Sequence, residues 1–250
     1  MKPKVAYFTN IAPHYRENLW LAFAKDLNVE FHFYFGYHPE QSIRSIDFTT
    51  QEWKEFEEQI HLTNNYEIKN TLVYQKKILR QVLLKDWDAI ILIGQARIFT
   101  VWLTAIVAKL KGIPIIFWGH GLYGSETFLK KFFLKCFLSF ADVILVYGNY
   151  ARNLLIKENF KPERIKVMYN SVNYELSKPL RDKAIIPHFY RKYFKNDLPT
   201  LIFIGRLTKA KKLNLLIEAV SQLNSNFQRF NLIFVGDGEA KQDLEALAQQ

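Results

Sequence analysis

The sequence predicts an α/β chain: one complete doubly wound domain built on a parallel sheet, then the beginning of a second Rossmann-like domain. Three observations predict it. Short apolar runs at 5–8, 89–93, 114–118, 143–147 and 165–169 are bounded by Gly, Pro, Asn or Asp, as buried parallel strands are. Helical patterns occupy the gaps, at 15–27, 75–85, 99–111, 127–140 and 149–158. The alternation stops after Asn170 and restarts at Thr200.

Strand and helix in strict succession imply right-handed crossovers and a doubly wound sheet. The run 29–35 alternates instead, with Val29, Phe31, Phe33 and Phe35 on one face and Glu30, His32 and Tyr34 on the other. That pattern predicts a strand nearer the sheet edge. The polar stretch 40–65 carries Glu52, Glu55, Glu57 and Glu58 and reads as an inserted helix or excursion. These elements make a first domain over 1–176. Residues 177–199 hold three prolines and a dense mix of charges, and read as a linker with a short helix near 189–194. A strand at 201–205, a helix at 213–223, a strand at 231–236 and a helix at 239–249 then open a second domain over 200–250. A doubly wound domain has ~5–6 strands, so the second domain is expected to be incomplete.

Composition narrows the class. Apolar residues are 49% of the 250 and charged residues 23%, enough for a packed core and unlike a disordered chain. A single cysteine, Cys136, excludes an internal disulfide and a multi-cysteine zinc site, and suits a reducing cytosol. The apolar run 5–8 is too short for a signal peptide. The longest uncharged apolar run, 98–108, is about half of the ~20 residues a membrane span needs. A cytoplasmic protein is expected, soluble or lying on the inner face of a membrane. With 34 basic and 24 acidic residues the net charge is +10, which calls for an anionic partner. The basic residues spread along both halves without a nucleic-acid motif, so nucleic acid is not the expected one.

The stretch 201–212 carries the most chemistry. A strand ends at Gly205, and Arg206, Lys209, Lys211 and Lys212 follow before a helix starts. Gly205 allows close approach to the backbone, and a helix N-terminus favours anions. Arg206 and Lys211 can hold a diphosphate, each through charge-assisted hydrogen bonds worth about 1.5–3 kcal/mol. The plain alternative is a solvated basic turn.

Here the chain resembles the retaining family 4 glycosyltransferases (glycosyl transferases group 1), which have the two-domain GT-B fold. The resemblance rests on Gly205-Arg206-Leu207, Lys211 at the matching offset, Glu218-Ala219 in the next helix, and Val235-Gly236-Asp237-Gly238 followed by Leu244-Glu245. Lys212 stands where a glycine is usual. Gly236-Asp237-Gly238 alone is weak, since Lys241 occupies the third glycine position of a dinucleotide fingerprint. In the first domain Ala141-Asp142-Val143-Ile144, Pro162 to Val167 and Asn170-Ser171-Val172-Asn173 follow the family layout. The resemblance implies metal-independent transfer, with retention, from a nucleotide-diphosphate sugar in the second domain to an acceptor in the first, and no cofactor. It also implies that Arg206 and Lys211 stabilise the leaving diphosphate. The acceptor implied by charge and family habit is lipid-linked or a surface polysaccharide. The family's paired glutamates, seven residues apart, lie well beyond the Gly-x-Gly turn, and the twelve residues after Gly238 have no room for them. A C-terminally truncated member is therefore expected. A split half and a nucleotide-binding module without transferase activity stay open as alternatives.

His120 lies between Gly119 and Gly121 after the strand 114–118, at a carboxyl end facing a crevice. Glycines there admit a ligand, and an imidazole can polarise a hydroxyl; the resemblance implies a functional histidine in this loop. The other five histidines lack metal-like spacing or a partner and read as surface or packing residues. The first loop holds Asn10, Pro13, Tyr15 and Arg16, with Pro13 near a natural helix start. It lacks the Gly-Gly pair of many relatives and resembles the subset with a Pro-x-Tyr-Arg loop. Arg16 there reads either as a donor or acceptor contact or, more plainly, as a solvated helix charge. Finally, 128–138 is a cationic, aromatic helix with Lys130, Lys131 and Lys135. It suits an anionic membrane surface, or plain packing with lysines reaching outward.

Overall fold

The computed structural model describes residues 1–37, 43–68, 72–170, 173–183, 188–225 and 229–249. The chain divides into two compact units, Met1–Lys178 and Pro179–Gln250, each described by itself.

The first unit is built on β1 (Lys4–Thr9), β2 (Glu30–Tyr37), β3 (Ile60–Ile68), β4 (Leu72–Gln75), β5 (Ala89–Ile93), β6 (Ile115–Gly119), β7 (Val143–Val146) and β8 (Ile165–Val167). Their order across the sheet is β4-β3-β2-β1-β5-β6-β7-β8. Every pair is parallel except β3–β4. The chain winds outward from β1 in one direction and from β5 in the other, which puts a topological switch point between those two strands.

The helices are α1 (Glu17–Ala24), α2 (Gln51–Lys54), α3 (Ile78–Leu84), α4 (Phe99–Leu110), α5 (Phe128–Ser139) and α6 (Asn149–Lys157). Adjacent strand residues separate onto the two faces of the sheet. Phe8, Leu92 and Phe117 join Val82 of α3, Val101 and Ala105 of α4, Phe137 of α5 and Leu155 of α6. Tyr7, Ile91 and Trp118 join Trp20 and Leu21 of α1 and Trp53 of α2. Aromatic pairs add directionality: Phe117 stacks on Phe137 at 4.5 Å and Trp20 meets Phe35 edge-on at 5.0 Å.

Four sequence expectations change. β2 is internal, between β1 and β3. Its polar-looking face is covered too: Tyr34 is buried between Phe8 at 4.7 Å and His61 at 4.5 Å, and His32 packs edge-on against Trp87. The stretch 40–65 is helical for one turn, at α2, and then enters β3; residues 40–42 lie outside the described ones. β3 defeats the usual pattern because its buried positions are Thr63 and Asn65 while Leu62 is 61% exposed. Gln75 Nε2 donates to Thr63 Oγ1 at 3.0 Å and to the Thr9 carbonyl at 2.9 Å, which pairs the Thr63 hydroxyl, while the buried Asn65 Oδ1 has no hydrogen-bond partner among the described residues. Gln75 thereby belongs to β4, and the helix expected from 75 starts at Ile78. Within 177–199, read as linker, the chain is also helical in the C-terminal part of α7 (Tyr174–Lys183), with Pro179 inside it, which the sequence did not suggest, while α8 (Phe189–Phe194) is the short helix expected there.

The second unit pairs β9 (Thr200–Ile204) with β10 (Asn231–Val235) in parallel, with α9 (Leu213–Ser225) and α10 (Lys241–Ala248). Leu207, Leu213, Ala240 and Leu244 form its small core, packed by Phe203, Ile217 and Phe234. Ile202, Ile204 and Val235 are exposed on the sheet.

Candidate functional site

At the carboxyl ends of β1 and β5 lies a cavity of about 460 Å³. Open α/β sheets bind ligands at this place, where strand order reverses. Its walls combine the first loop, through Asn10, Tyr15 and Arg16, with His120 after β6 and Tyr147 after β7.

Arg16 is not a solvated helix charge. Its Nη2 donates to the Tyr147 hydroxyl at 2.8 Å and to Asn170 Oδ1 at 3.3 Å. The guanidinium carbon sits 5.1 Å from the Tyr147 ring centre and 5.4 Å from that of Trp118, within cation–π range. The local chain explains the placement. Pro13 precedes a single 3-10 turn, His14–Arg16, before α1, so the side chain of Arg16 leaves ahead of the helix rather than from its outer face.

His120 meets Tyr147 edge-on at 4.8 Å and stacks on Tyr123 at 5.4 Å. Partial burial, and then the charge of Arg16, hold its imidazole below the usual histidine range. At neutral pH the ring is uncharged, able to donate from one nitrogen and accept at the other. Its loop is clamped by Glu126, whose carboxylate accepts from the backbone N–H of Tyr123 at 2.6 Å and of Gly124 at 2.9 Å. Burial would raise that carboxyl, yet backbone N–H groups hold it below the usual range.

Gly119 and Gly121 each have a packing reason to be glycine. A Cβ on Gly119 would meet the Gly94 carbonyl at 3.0 Å, so the glycine lets two strand ends touch. Gly121 has φ +65°, and a Cβ there would press on Val146 and Leu155. The other histidines are corrected in part: His32 Nε2 lies 2.8 Å from Glu30 Oε1, a partner the sequence did not suggest.

Several lining residues went unread in the sequence: Asn65, Glu67, Gln95, Arg97 and Tyr147. Gln95 and Arg97 follow β5 and Gly94 in the same strand–glycine–polar order that singled out His120, and that signal could have found them. Asn65 Nδ2 donates to the Asn10 carbonyl at 2.6 Å and so ties β3 to the first loop. Among the described residues, no group of three or more His, Cys, Asp or Glu side chains is arranged to hold a metal ion.

In the second unit Gly205 closes β9 with φ +155°, and Arg206 follows on the exposed turn. Lys211 ends the 3-10 turn Lys209–Lys211, two residues before α9. The glycines of 236–238 are packing devices: a Cβ on Gly236 would collide with the Gly205 carbonyl. The two turns are joined by Leu207 N–H to the Asp237 carbonyl at 2.8 Å and Ala240 N–H to the Leu207 carbonyl at 2.9 Å. A cavity of about 450 Å³ between this turn and α10 is lined by Thr208, Lys209 and Asp243, among others, and by neither Arg206 nor Lys211. Ser171 and Val172 of the Asn-Ser-Val-Asn stretch lie outside the described residues.

Residues 48–176, more than half the chain, match the Glycosyltransferase Family 4 family. The chain belongs to that family. Residues 188–250 match Glycosyl transferases group 1, so this family 4 member carries both signatures in order. It is 29% identical over 145 residues to an uncharacterized glycosyltransferase of Methanocaldococcus jannaschii, covering 58% of this chain and 34% of the relative. It is 24% identical over 243 residues to the GPI3 subunit of phosphatidylinositol N-acetylglucosaminyltransferase from Saccharomyces cerevisiae, covering 88% of this chain and 52% of the relative. The chain thus spans between a third and about half the length of these curated relatives. Among solved structures, the lipopolysaccharide outer core galactosyltransferase WaaB superposes with a TM-score of 0.58 at 14% identity, over 98% of this chain and 64% of that one. Anabaena HepE, in complex with UDP-glucose, gives 0.57 at 16% identity, over 98% of this chain and 65% of that one. At these identities the superpositions show the fold, which is α/β and GT-B-like.

Proposed function

We propose that the chain transfers a sugar from a nucleotide-diphosphate donor to a lipid-linked or surface-polysaccharide acceptor, with retention and without metal or cofactor. The observation that carries this reading is the meeting of Arg16, His120 and Tyr147 around a cavity at the switch point of a family 4 sheet. The first unit takes the acceptor. Its neutral imidazole, His120, hydrogen-bonds a sugar hydroxyl, while Arg16 and Tyr147 hold the cavity wall. The second unit takes the donor. As the bond between the sugar and the diphosphate breaks, negative charge grows on the leaving group, and Arg206 and Lys211 stabilise it by charge-assisted hydrogen bonds. Gly205 keeps the turn free of a side chain where the diphosphate approaches.

Three facts support the donor and acceptor classes: family membership, a UDP-glucose complex of a similar fold, and a relative named as a phosphatidylinositol N-acetylglucosaminyltransferase. No helix among the described residues is long and apolar enough to cross a membrane. The chain works from the cytoplasm, peripherally on the inner membrane face. It reaches the lipid through α5, where Phe128, Leu129, Phe132 and Phe133 are 83%, 67%, 55% and 60% exposed.

The test is ligand-induced stabilisation. UDP or GDP should raise the melting temperature of the wild type more than that of Arg206→Ala. Equal shifts in the two proteins would remove Arg206 from the donor site. A second reading, favoured by the exposed Ile202, Ile204 and Val235 of β9 and β10, has a further polypeptide lying on this sheet to complete catalysis. Turnover of a nucleotide sugar by the 250-residue chain alone decides against it.

A further inference from the structure

A second cavity of the first unit lies away from the switch point. It is a groove of about 560 Å³ between α5 and the segment after α6, lined by Phe128, Phe132, Lys131, Lys135, Glu158 and Lys161, among others. The groove has one acidic wall group and four basic ones. Glu158 accepts from Lys131 at 2.9 Å and from Lys135 at 3.0 Å, so one carboxylate holds two ammonium groups side by side. Both lysines hold Glu158 below the usual carboxylate range. Each ammonium has three N–H donors and spends one on Glu158, so two remain on each for an anion.

Lys161 and Arg164 line the other end. Arg164 donates to the carbonyls of Ser139, Ala141 and Asp142, which caps the last turn of α5 and fixes its charge beside the groove. The segment is held by a helix stop: Asn159 adopts φ +69° and Phe160 N–H reaches back to the Leu155 carbonyl at 3.0 Å. The net charge around the groove is therefore positive and sits on fixed backbone.

Alongside these charges run the exposed Phe128, Leu129, Phe132 and Phe133 of α5. Fixed cations beside uncovered aromatic side chains match an amphiphile with an anionic head and apolar tail. A small anion has no use for the aromatics, and an apolar peptide has none for the cations.

We propose that this groove binds the headgroup of an anionic phospholipid, the phosphate taken by Lys131, Lys135 and Lys161 and the acyl chains laid along Phe128 and Phe132. Glu158 sets the spacing of the two lysines and limits the affinity, so that attachment stays reversible. The inference rests on the peripheral-membrane part of the proposed function and deepens it, by giving that surface a defined lipid site.

The experiment uses the full chain, with co-sedimentation on vesicles of phosphatidylcholine with and without phosphatidylglycerol at low salt. Short-chain phosphatidylglycerol below its micellar concentration and inorganic phosphate follow as soluble probes. Wild type should bind phosphatidylglycerol vesicles and the short-chain lipid, and bind inorganic phosphate far more weakly. Glu158→Gln should raise affinity for the anionic vesicles several-fold, Lys161→Gln should lower it several-fold, and Phe132→Ser should lower it at unchanged melting temperature. A purely structural ion pair would make Glu158→Gln less stable with no gain in binding, and that result overturns the site. Equal binding of inorganic phosphate and short-chain lipid also overturns it. If anionic vesicles bind but only Phe132→Ser matters, α5 meets the membrane without a headgroup site. If no vesicle binds while UDP still stabilises the chain, the membrane reading falls and the donor reading stands.

Discussion

Arg16 Nη2 donates to the Tyr147 hydroxyl at 2.8 Å, joining residues 131 positions apart in the chain. This contact brings the first loop over the β7 end and sets a fixed positive charge near His120. The charge acts with burial to keep the imidazole neutral.

Removing that charge has a defined sign. In Arg16→Gln the His120 pKa should rise toward the ordinary histidine value, because one of its two depressing causes is gone. The acid limb of any pH–rate profile should then move to higher pH. Tyr147→Phe keeps the charge and loses only the hydroxyl, so it should raise the His120 pKa less. NMR titration of the His120 ring in the three proteins measures this directly, and an unmoved titration in Arg16→Gln would disprove the coupling.

His61 predicts acid instability. Burial against Tyr34, with Lys85 and His32 nearby, pushes it from 6.5 down to about 4. Below pH 6.5 the unfolded chain takes up a proton that the folded chain refuses, so stability falls as pH drops from about 6.5 to about 4. The ring is partly exposed, so the loss is discounted for solvent screening to about 1–2 kcal/mol. His61→Phe keeps the ring stack and removes the proton. Its denaturant midpoint should vary less between pH 7 and pH 4.5 than that of the wild type.

Lys212 should be improvable. It holds φ +51° and ψ +40°, the left-handed conformation that costs a non-glycine residue about 1–2 kcal/mol. A glycine removes that cost and adds unfolded-state entropy, for a net gain of about 0.5–1 kcal/mol. Chemical denaturation of Lys212→Gly checks it; a lower midpoint would mean that the side chain contributes more than its strain costs. The conformation also gives the physical reason for the glycine usual at this place.

Most of the first unit was legible because buried parallel strands advertise themselves. β5, β6 and β7 are continuous apolar runs, and α4 and α6 lie within a residue or two of their sequence patterns. β3 was not legible: a strand whose buried positions are Thr63 and Asn65 looks like loop until Gln75 and Asn10 are seen against it. β2 looked like an edge strand because Glu30, His32 and Tyr34 are polar by type. In the fold Glu30 pairs with His32 and the Tyr34 ring is buried by stacking.

The sequence alone determined the α/β class, the family resemblance and the turn from Gly205 to Lys211, since these depend on local order: apolar runs, glycines at strand ends, cations before a helix. Only the tertiary structure decided that Arg16 is a cavity-wall group, that Gly119 serves strand packing, and that Lys131 and Lys135 share Glu158. Each of these depends on partners 23 or more residues away in the chain, beyond the reach of any helical or strand period.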